Sequence, residues 1–324
     1  MPRPEQTVLL LTDAAMADHA SPGHPERPER AAAVVAGVMA GSQASGARLE
    51  RPLVVPASDG RLAAVHEPRY LAWLAELADH GGGWIDPDTY VVAGSWNAAR
   101  LAAGAAVQGA LAVARDDANV AFAVSRPPGH HAHHDLGKGF CLLNNAVVAA
   151  SALRDDAGVT RFAILDWDVH HGDGTQAMVE DDPDVFYAST HQYPWYPGTG
   201  AADEGTATVL NVPLEMGSGD GEFVAAWTEA ILPAAERFGP QAILLSAGFD
   251  AHRDDPLAGL RVTADGFGAV ARAIGATAHR LAVSGIVVLL EGGYDLDALR
   301  TSAASSVTGL LDGLAGSPDR VAGT

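Results

Sequence analysis

The stretch Phe162-Ala163-Ile164-Leu165-Asp166-Trp167-Asp168-Val169-His170-His171-Gly172-Asp173-Gly174-Thr175 turns, within a few residues, from an apolar run into a cluster of acids and histidines. Its first four residues read as a buried strand, and a strand core has no use for carboxylates. Yet three acids and two histidines crowd into the eight residues from Asp166 to Asp173. Successive side chains alternate faces along an extended chain. Asp166, Asp168 and His170 therefore share one face, close enough for at least two of them to grip one divalent metal. A buried charge is costly unless it is paired or metal-bound. A solvent-exposed turn is the plain alternative, and the clustering favours a site.

Working outward, short apolar runs recur at 8–11, 120–124, 162–165, 185–188, 242–245 and 286–290. They read as parallel strands buried on both faces. Helices are predicted between them over 27–39, 95–114, 144–153, 222–236, 264–281 and 296–314. Strands alternating with helices predict an α/β fold, a three-layer α/β/α sandwich around a mainly parallel sheet. The length of 324 residues suits one large domain or two ordinary ones, and no repeat or low-complexity linker divides it. One domain is expected over 1–315. Gly316, Pro318 and Gly323 mark 316–324 as a flexible tail.

Polar clusters follow the apolar runs and do not precede them. Residues 120–124 lead into Arg126-Pro127-Pro128-Gly129-His130-His131, 242–245 into Gly248-Phe249-Asp250, and 286–290 into Glu291-Gly292-Gly293-Tyr294. Ligands of open α/β sheets bind at the carboxyl ends of the strands. Four separate segments thus converge on one site. Adjacent His130 and His131 would by themselves read as exposed loop residues, but a carboxylate behind each ring, from Asp166 and Asp173, would orient it and raise its basicity.

Composition narrows the function classes. The formal net charge of −20 argues against a direct nucleic-acid binder, since phosphate affinity rests on clustered Lys and Arg. It suits cationic small molecules or Lys-rich peptides, although solubility alone also explains it. Lys138 is the only lysine. The single cysteine, Cys141, excludes an internal disulfide framework and a cysteine-based zinc site; it reads as a small buried residue. No apolar run reaches the roughly 18 residues that a membrane span needs, and no secretory leader is apparent. A cytoplasmic enzyme without membrane attachment is expected.

Arg126 to Ala132, Gly139-Phe140-Cys141-Leu142-Leu143-Asn144-Asn145, Asp166 to Thr175, Ser246-Ala247-Gly248-Phe249-Asp250 and Glu291-Gly292-Gly293-Tyr294-Asp295-Leu296 resemble the signature segments of zinc-dependent histone deacetylases. The closer likeness is to the class II and bacterial deacetylase-like amidohydrolases, which include acetylpolyamine amidohydrolases. It runs in order from about His24-Pro25-Glu26 to Leu296. It implies the arginase/deacetylase fold and a single deacetylase catalytic domain over 1–315. It also implies hydrolysis of N-acetyl amides, most simply acetyl-lysine side chains, with acetylpolyamines as the alternative substrates.

Carried over residue by residue, the resemblance makes Asp168, His170 and Asp250 the zinc ligands, leaving positions for water and the substrate carbonyl. His131 becomes the general base and later acid, assisted by His130. Asp166 pairs with His130 and Asp173 with His131; Asp173 departs from the Asn common in class II relatives and is expected to make His131 more basic. Tyr294, otherwise a core tyrosine, becomes the oxyanion donor; weakly active relatives carry His there. Phe140, beside Gly139, and Tyr196 match the walls of an acyl-lysine channel, with Phe commoner at the second place. Asp88 matches a rim acid that holds substrate backbone amides, although Asp86 and Asp88 also suit a solvated turn. Leu257 stands where polyamine-specific relatives carry Glu, which favours acetyl-lysine. Structural potassium is implied at Asp166, Asp168, His170, Ser189 and Thr190, and again at Val179, Asp182 and Val185. His24, His133, His134, His171, His191 and His252 receive no catalytic role. Two other readings stay open: a non-catalytic acyl-lysine binder, which would have lost a ligand or Tyr294, and a two-manganese ureohydrolase, which would need further acid and histidine ligands.

Overall fold

The computed structural model describes residues 5–316. The expected tail, apart from Gly316, lies outside the described residues. Strands form at β1 (Thr7–Leu11), β2 (Arg48–Glu50), β3 (Gly82–Trp84), β4 (Tyr90–Val92), β5 (Val120–Ala123), β6 (Phe162–Asp166), β7 (Val185–Gln192), β8 (Val209–Leu214), β9 (Ala242–Ala247) and β10 (Ile286–Leu290). Helices form at α1 (Glu29–Ser45), α2 (Asp59–Ala63), α3 (Pro68–Asp79), α4 (Ser95–Ala114), α5 (Asn145–Ala157), α6 (Asp173–Val179), α7 (Asp220–Ala225), α8 (Leu232–Phe238), α9 (Ala264–Arg280) and α10 (Leu296–Leu314). All six expected strands are present, and they join β2 and β8 in one sheet ordered β2-β1-β5-β10-β9-β6-β7-β8. Every pairing in that sheet is parallel. β3 and β4 make a separate antiparallel pair.

The two strands of that sheet that the apolar pattern misses are its edges. β2 is the short, charged Arg48-Leu49-Glu50, and β8 carries Asn211 and Pro213. Proline is tolerated on an edge, where one row of backbone donors has no partner strand. α1 runs past the expected stop near Met39 to Ser45, with Gly46 as a left-handed cap at φ 67°. The intervening glycines serve packing. A Cβ on Gly37 would lie 2.3 Å from Arg300 O, and one on Gly41 2.5 Å from Ala304 O, so α1 crosses α10 at backbone contact. The helix expected over 222–236 is broken by a π-helical turn at Ala226–Ile231, where Leu232 N donates to Trp227 O. Pro233 follows at the start of α8 and cannot donate to the preceding turn, which accounts for the widening there.

Helices cover both faces. One core packs α1, α9, α10 and the α7–α8 segment onto the sheet, with Trp167, Trp227, Phe249 and Phe267 at its heart. The other packs α4 and α5 onto the opposite face. Trp167 and Val169 are buried in the first core, so the alternation read from the sequence holds beyond the end of β6: apolar side chains go inward while Asp166, Asp168 and His170 turn the other way.

Candidate active site

β5, β10, β9 and β6 are consecutive in the sheet, so the loops leaving their carboxyl ends stand side by side. The loop after β5 brings His130 and His131, that after β6 Asp168 and His170, that after β9 Asp250, and that after β10 Tyr294.

Asp168, His170 and Asp250 offer ligand atoms all within 4.8 Å of one another. His170 Nδ1 lies 3.0 Å from Asp168 Oδ1 and 3.3 Å from Asp250 Oδ2. Backbone amides hold the carboxylates in place: Gly292 N donates to Asp168 Oδ2 at 2.7 Å, and Val169 N to Asp250 Oδ1 at 2.9 Å. Asp250 Oδ2 is buried without a hydrogen-bond partner. Burial and the charge of Asp168 together raise the Asp250 carboxyl. Two buried carboxylates and one imidazole nitrogen, with one oxygen unsatisfied, fit a divalent cation. The backbone at Gly292 closes on the carboxylates, since a Cβ there would meet Asp250 Oδ2 at 1.9 Å and Asp168 Oδ2 at 2.6 Å.

Beside this trio the two histidine rings lie 4.0 Å apart, centroid to centroid. His130 Nδ1 is 3.0 Å from Asp166 Oδ2, and His131 Nδ1 is 2.7 Å from Asp173 Oδ1. Their protonation diverges. Burial opposes a charge on His130, but the Asp168 and Asp166 carboxylates outweigh it and hold its pKa well above the ordinary value. His131 goes the other way: burial and the neighbouring His130 push it down to about 3 despite the Asp173 hydrogen bond. The expected upward pull of Asp173 on His131 is present but is not the largest influence on the ring. Asp173 does pull upward, but desolvation and the adjacent cation win.

Tyr294 is placed by residues from distant elements. Its backbone N donates to Asp255 Oδ2 at 2.6 Å, and Gly293 before it takes φ 113°, a conformation suited to glycine. Arg30 of α1 donates to Gly293 O and Glu291 O, and its guanidinium lies 4.9 Å from the Tyr294 ring centroid. Burial lifts the Tyr294 phenol well above its usual range, so the hydroxyl keeps its proton.

His130, His131, Asp168, His170, Gly292 and Tyr294 line a cavity of about 260 Å³, together with Asp88, Pro128, Gly139, Phe140, Trp195, Tyr196 and Leu257. Its size suits a slender side chain. Gly139 lies flat against the His131 ring, where a Cβ would come within 2.5 Å of Cδ2. Tyr196 stands edge-on to His131 at 5.1 Å, and Phe140 edge-on to Tyr294 at 5.8 Å. Asp88 is exposed at the mouth, whereas Asp86 turns inward and accepts from the backbone of Asp88 and Thr89. His24 braces the rim, with Nε2 3.0 Å from Asp88 O and its ring 4.6 Å from Phe140.

Other candidate residues stand apart from the cavity. His171 is engaged elsewhere, by Thr199 Oγ1 and Gln176 Oε1 at 2.8 Å each. Ser189 pairs in register with Asp166 and contacts His191 through its hydroxyl, and Thr190 accepts from Trp227 Nε1. Asp182 pairs with Arg154, and its carbonyl accepts from Val185 N. The sequence reading overlooked Arg30, Asp255 and Trp195. Arg30 belongs to the His-Pro-Glu-Arg-Pro-Glu-Arg run, but nothing local says that a charged residue in an amphipathic helix will be fully buried against Tyr294.

Residues 24–310 match the family model described as the histone deacetylase domain. A probable deacetylase of Archaeoglobus fulgidus is 40% identical over 282 residues, covering 86% of this chain and 78% of the relative. A histone deacetylase-like amidohydrolase of Pseudomonas aeruginosa is 41% identical over 286 residues, covering 85% of this chain and 73% of the relative. The crystal structure of the HDA15 HD domain superposes with a TM-score of 0.87 at 34% identity, over 96% of this chain and 90% of that one. The chain belongs to the histone deacetylase family of amide hydrolases.

Proposed function

We propose that this chain hydrolyses N-acetyl amides, with acetyl-lysine side chains of proteins or peptides as its substrates and zinc held by Asp168, His170 and Asp250. The observation that carries this reading is the meeting, around one narrow cavity, of a metal-fitting trio, a carboxylate-bound neutral imidazole and a protonated phenol. A zinc ion bound there supplies Lewis-acid polarisation of the amide carbonyl and makes water more acidic.

The protein's own groups do the rest. His131, neutral and bound through Nδ1 to Asp173, presents Nε2 as the base that takes a proton from the attacking water. The same nitrogen then returns the proton to the departing amine. Charged His130 adds a fixed positive charge beside the developing negative one, and Asp166 keeps that charge in place. The Tyr294 hydroxyl donates to the carbonyl oxygen as it becomes an oxyanion. Phe140 and Tyr196 enclose the aliphatic stem of the substrate side chain, and Asp88 at the rim receives its backbone amides.

Leu257, half-buried in the cavity lining, offers no counter-charge to a distal ammonium. That supports acetyl-lysine over acetylpolyamines. Residues 1–315 act as one catalytic unit in a cytoplasmic setting in this reading. Potassium at Asp166, Asp168, His170, Ser189 and Thr190 has a structural role in this reading.

The test is turnover of an acetyl-lysine peptide and of acetylputrescine by the metal-loaded protein and its His131→Ala variant. Hydrolysis of the peptide by the parent and its loss in the variant are expected. A variant as active as the parent overturns the role of His131, and a large preference for acetylputrescine overturns the substrate class. A parent that binds the peptide without cleaving it is a binder.

A further inference from the structure

Lys138 sits at the back of this site. Its ammonium lies 2.7 Å from Asp173 Oδ2, the carboxylate whose other oxygen meets His131 Nδ1 at 2.7 Å. His133 Nε2 reaches the same Oδ2 at 3.1 Å. Asp173 is thus gripped from two sides, with His131 on one oxygen and a lysine and a second histidine on the other. Burial pushes the Asp173 carboxyl up, but these hydrogen bonds prevail and hold it well below the usual carboxylate range.

The loop that carries the lysine is itself fixed to the site. Cys141 N donates to Lys138 O at 2.9 Å, closing a tight turn. Gly139 of that turn takes φ 54° and lies flush on the His131 ring. Lys138 Nζ also stands 5.5 Å from the centroid of Tyr196, a wall of the cavity. The basic side chains around the dyad are therefore Lys138 and His133 behind it, and His130 and His170 on the cavity side.

We propose that Lys138 is a positioning residue for catalysis, acting on His131 through Asp173. By occupying Oδ2 it leaves Oδ1 as the single acceptor for the imidazole, which fixes the ring's orientation and keeps the proton on Nδ1, so that Nε2 faces the substrate lone pair first. Partners of this kind typically shift activity about 10–100-fold when removed.

This inference rests on the deacetylase reading, and two measurements separate them. In the first, Lys138→Met and Lys138→Arg are compared with the parent on an acetyl-lysine peptide, alone and in an Asp173→Asn background. The expected result is a fall in kcat of roughly 10–100-fold for Lys138→Met with KM nearly unchanged, substantial recovery in Lys138→Arg, and no further loss from Lys138→Met once Asp173 is Asn. An unchanged kcat overturns the proposal, as does a loss that adds in full to that of Asp173→Asn. In the second, proton NMR follows the hydrogen-bonded His131 Nδ1 proton, which needs no turnover. Loss or a marked shift of that resonance in Lys138→Met, with retention in Lys138→Arg, supports the clamp even if the parent proves inactive on amides. A resonance indifferent to Lys138 overturns it.

Discussion

Tyr294 and Gly292 sit two residues apart in one turn, yet they are exposed to different physics. Removing only the hydroxyl of Tyr294 leaves its packing on Phe140 and Arg30 intact. Tyr294→Phe is therefore expected to lower kcat by about 10²–10³ with little change in KM, as loss of an oxyanion donor does; steady-state kinetics on an acetyl-lysine peptide checks this. Gly292→Ala acts on the proposed metal site. Its methyl would come within 1.9 Å of Asp250 Oδ2, and the crowded atoms are carboxylates anchored by backbone amides that cannot swing away freely. The expected outcome is a protein that folds but retains far less than one zinc per chain, read by elemental analysis after dialysis. At this scale the residue types were legible beforehand, because acids and histidines at strand ends have few other uses. Protonation was not. His131 stands low because burial and His130 act on it, and neither is visible from its sequence neighbours.

Among the elements, α1 and α10 give the sharpest reversal of a local rule. In an exposed helix interior Gly→Ala stabilises by up to about 1 kcal/mol. At Gly37 and Gly41 the new methyl would press on the carbonyls of Arg300 and Ala304 of the neighbouring helix. Overpacking of that kind costs about 1–3 kcal/mol. Both Gly37→Ala and Gly41→Ala should lower the urea unfolding midpoint, and an increase in either would show that the crossing yields easily. The consequences reach the site, since α1 carries Arg30 and α10 begins at Leu296, two residues beyond Tyr294. The central strands and long helices were legible from apolar runs and periodicity. The edges β2 and β8 were not, because an edge strand needs fewer apolar residues and tolerates Pro213.

Across the whole molecule, one buried ionic knot ties the first loop to the active-site strands. Glu26 accepts from Arg126 Nε at 2.5 Å and Nη2 at 2.7 Å, and from Arg30 Nη1 at 2.9 Å; all three side chains are fully buried. Burial alone would raise the Glu26 carboxyl, but the Arg126 hydrogen bonds and the two guanidinium charges bring it down to about 2 from an ordinary 4.5. A depressed carboxyl contributes stability that is complete above its unfolded pKa and is lost as pH falls through the folded one. The knot is accordingly worth roughly 3 kcal/mol of pH-linked stability, lost between about pH 5 and pH 2. Glu26→Gln should be less stable at pH 7 by about 3–5 kcal/mol, because two arginines lose their counter-charge. It should also show a shallower decline in acid, as measured by denaturant unfolding over that range. A variant with the parent's acid profile would remove Glu26 from the account.

The sequence by itself determined the layered α/β architecture and the strand ends at which acids, histidines and a tyrosine gather. These follow from local rules: side-chain alternation, apolar periodicity and the cost of burying charge. Tertiary structure alone decided that β10 lies between β5 and β9, which brings Tyr294 to the same cavity as His131 and Asp168. It also decided that Arg30 supports the tyrosine turn, that Lys138 grips Asp173, and that the pKa values of the neighbouring histidines are driven in opposite directions. Each depends on which distant segments the crossovers place in contact, and on the desolvation those contacts impose.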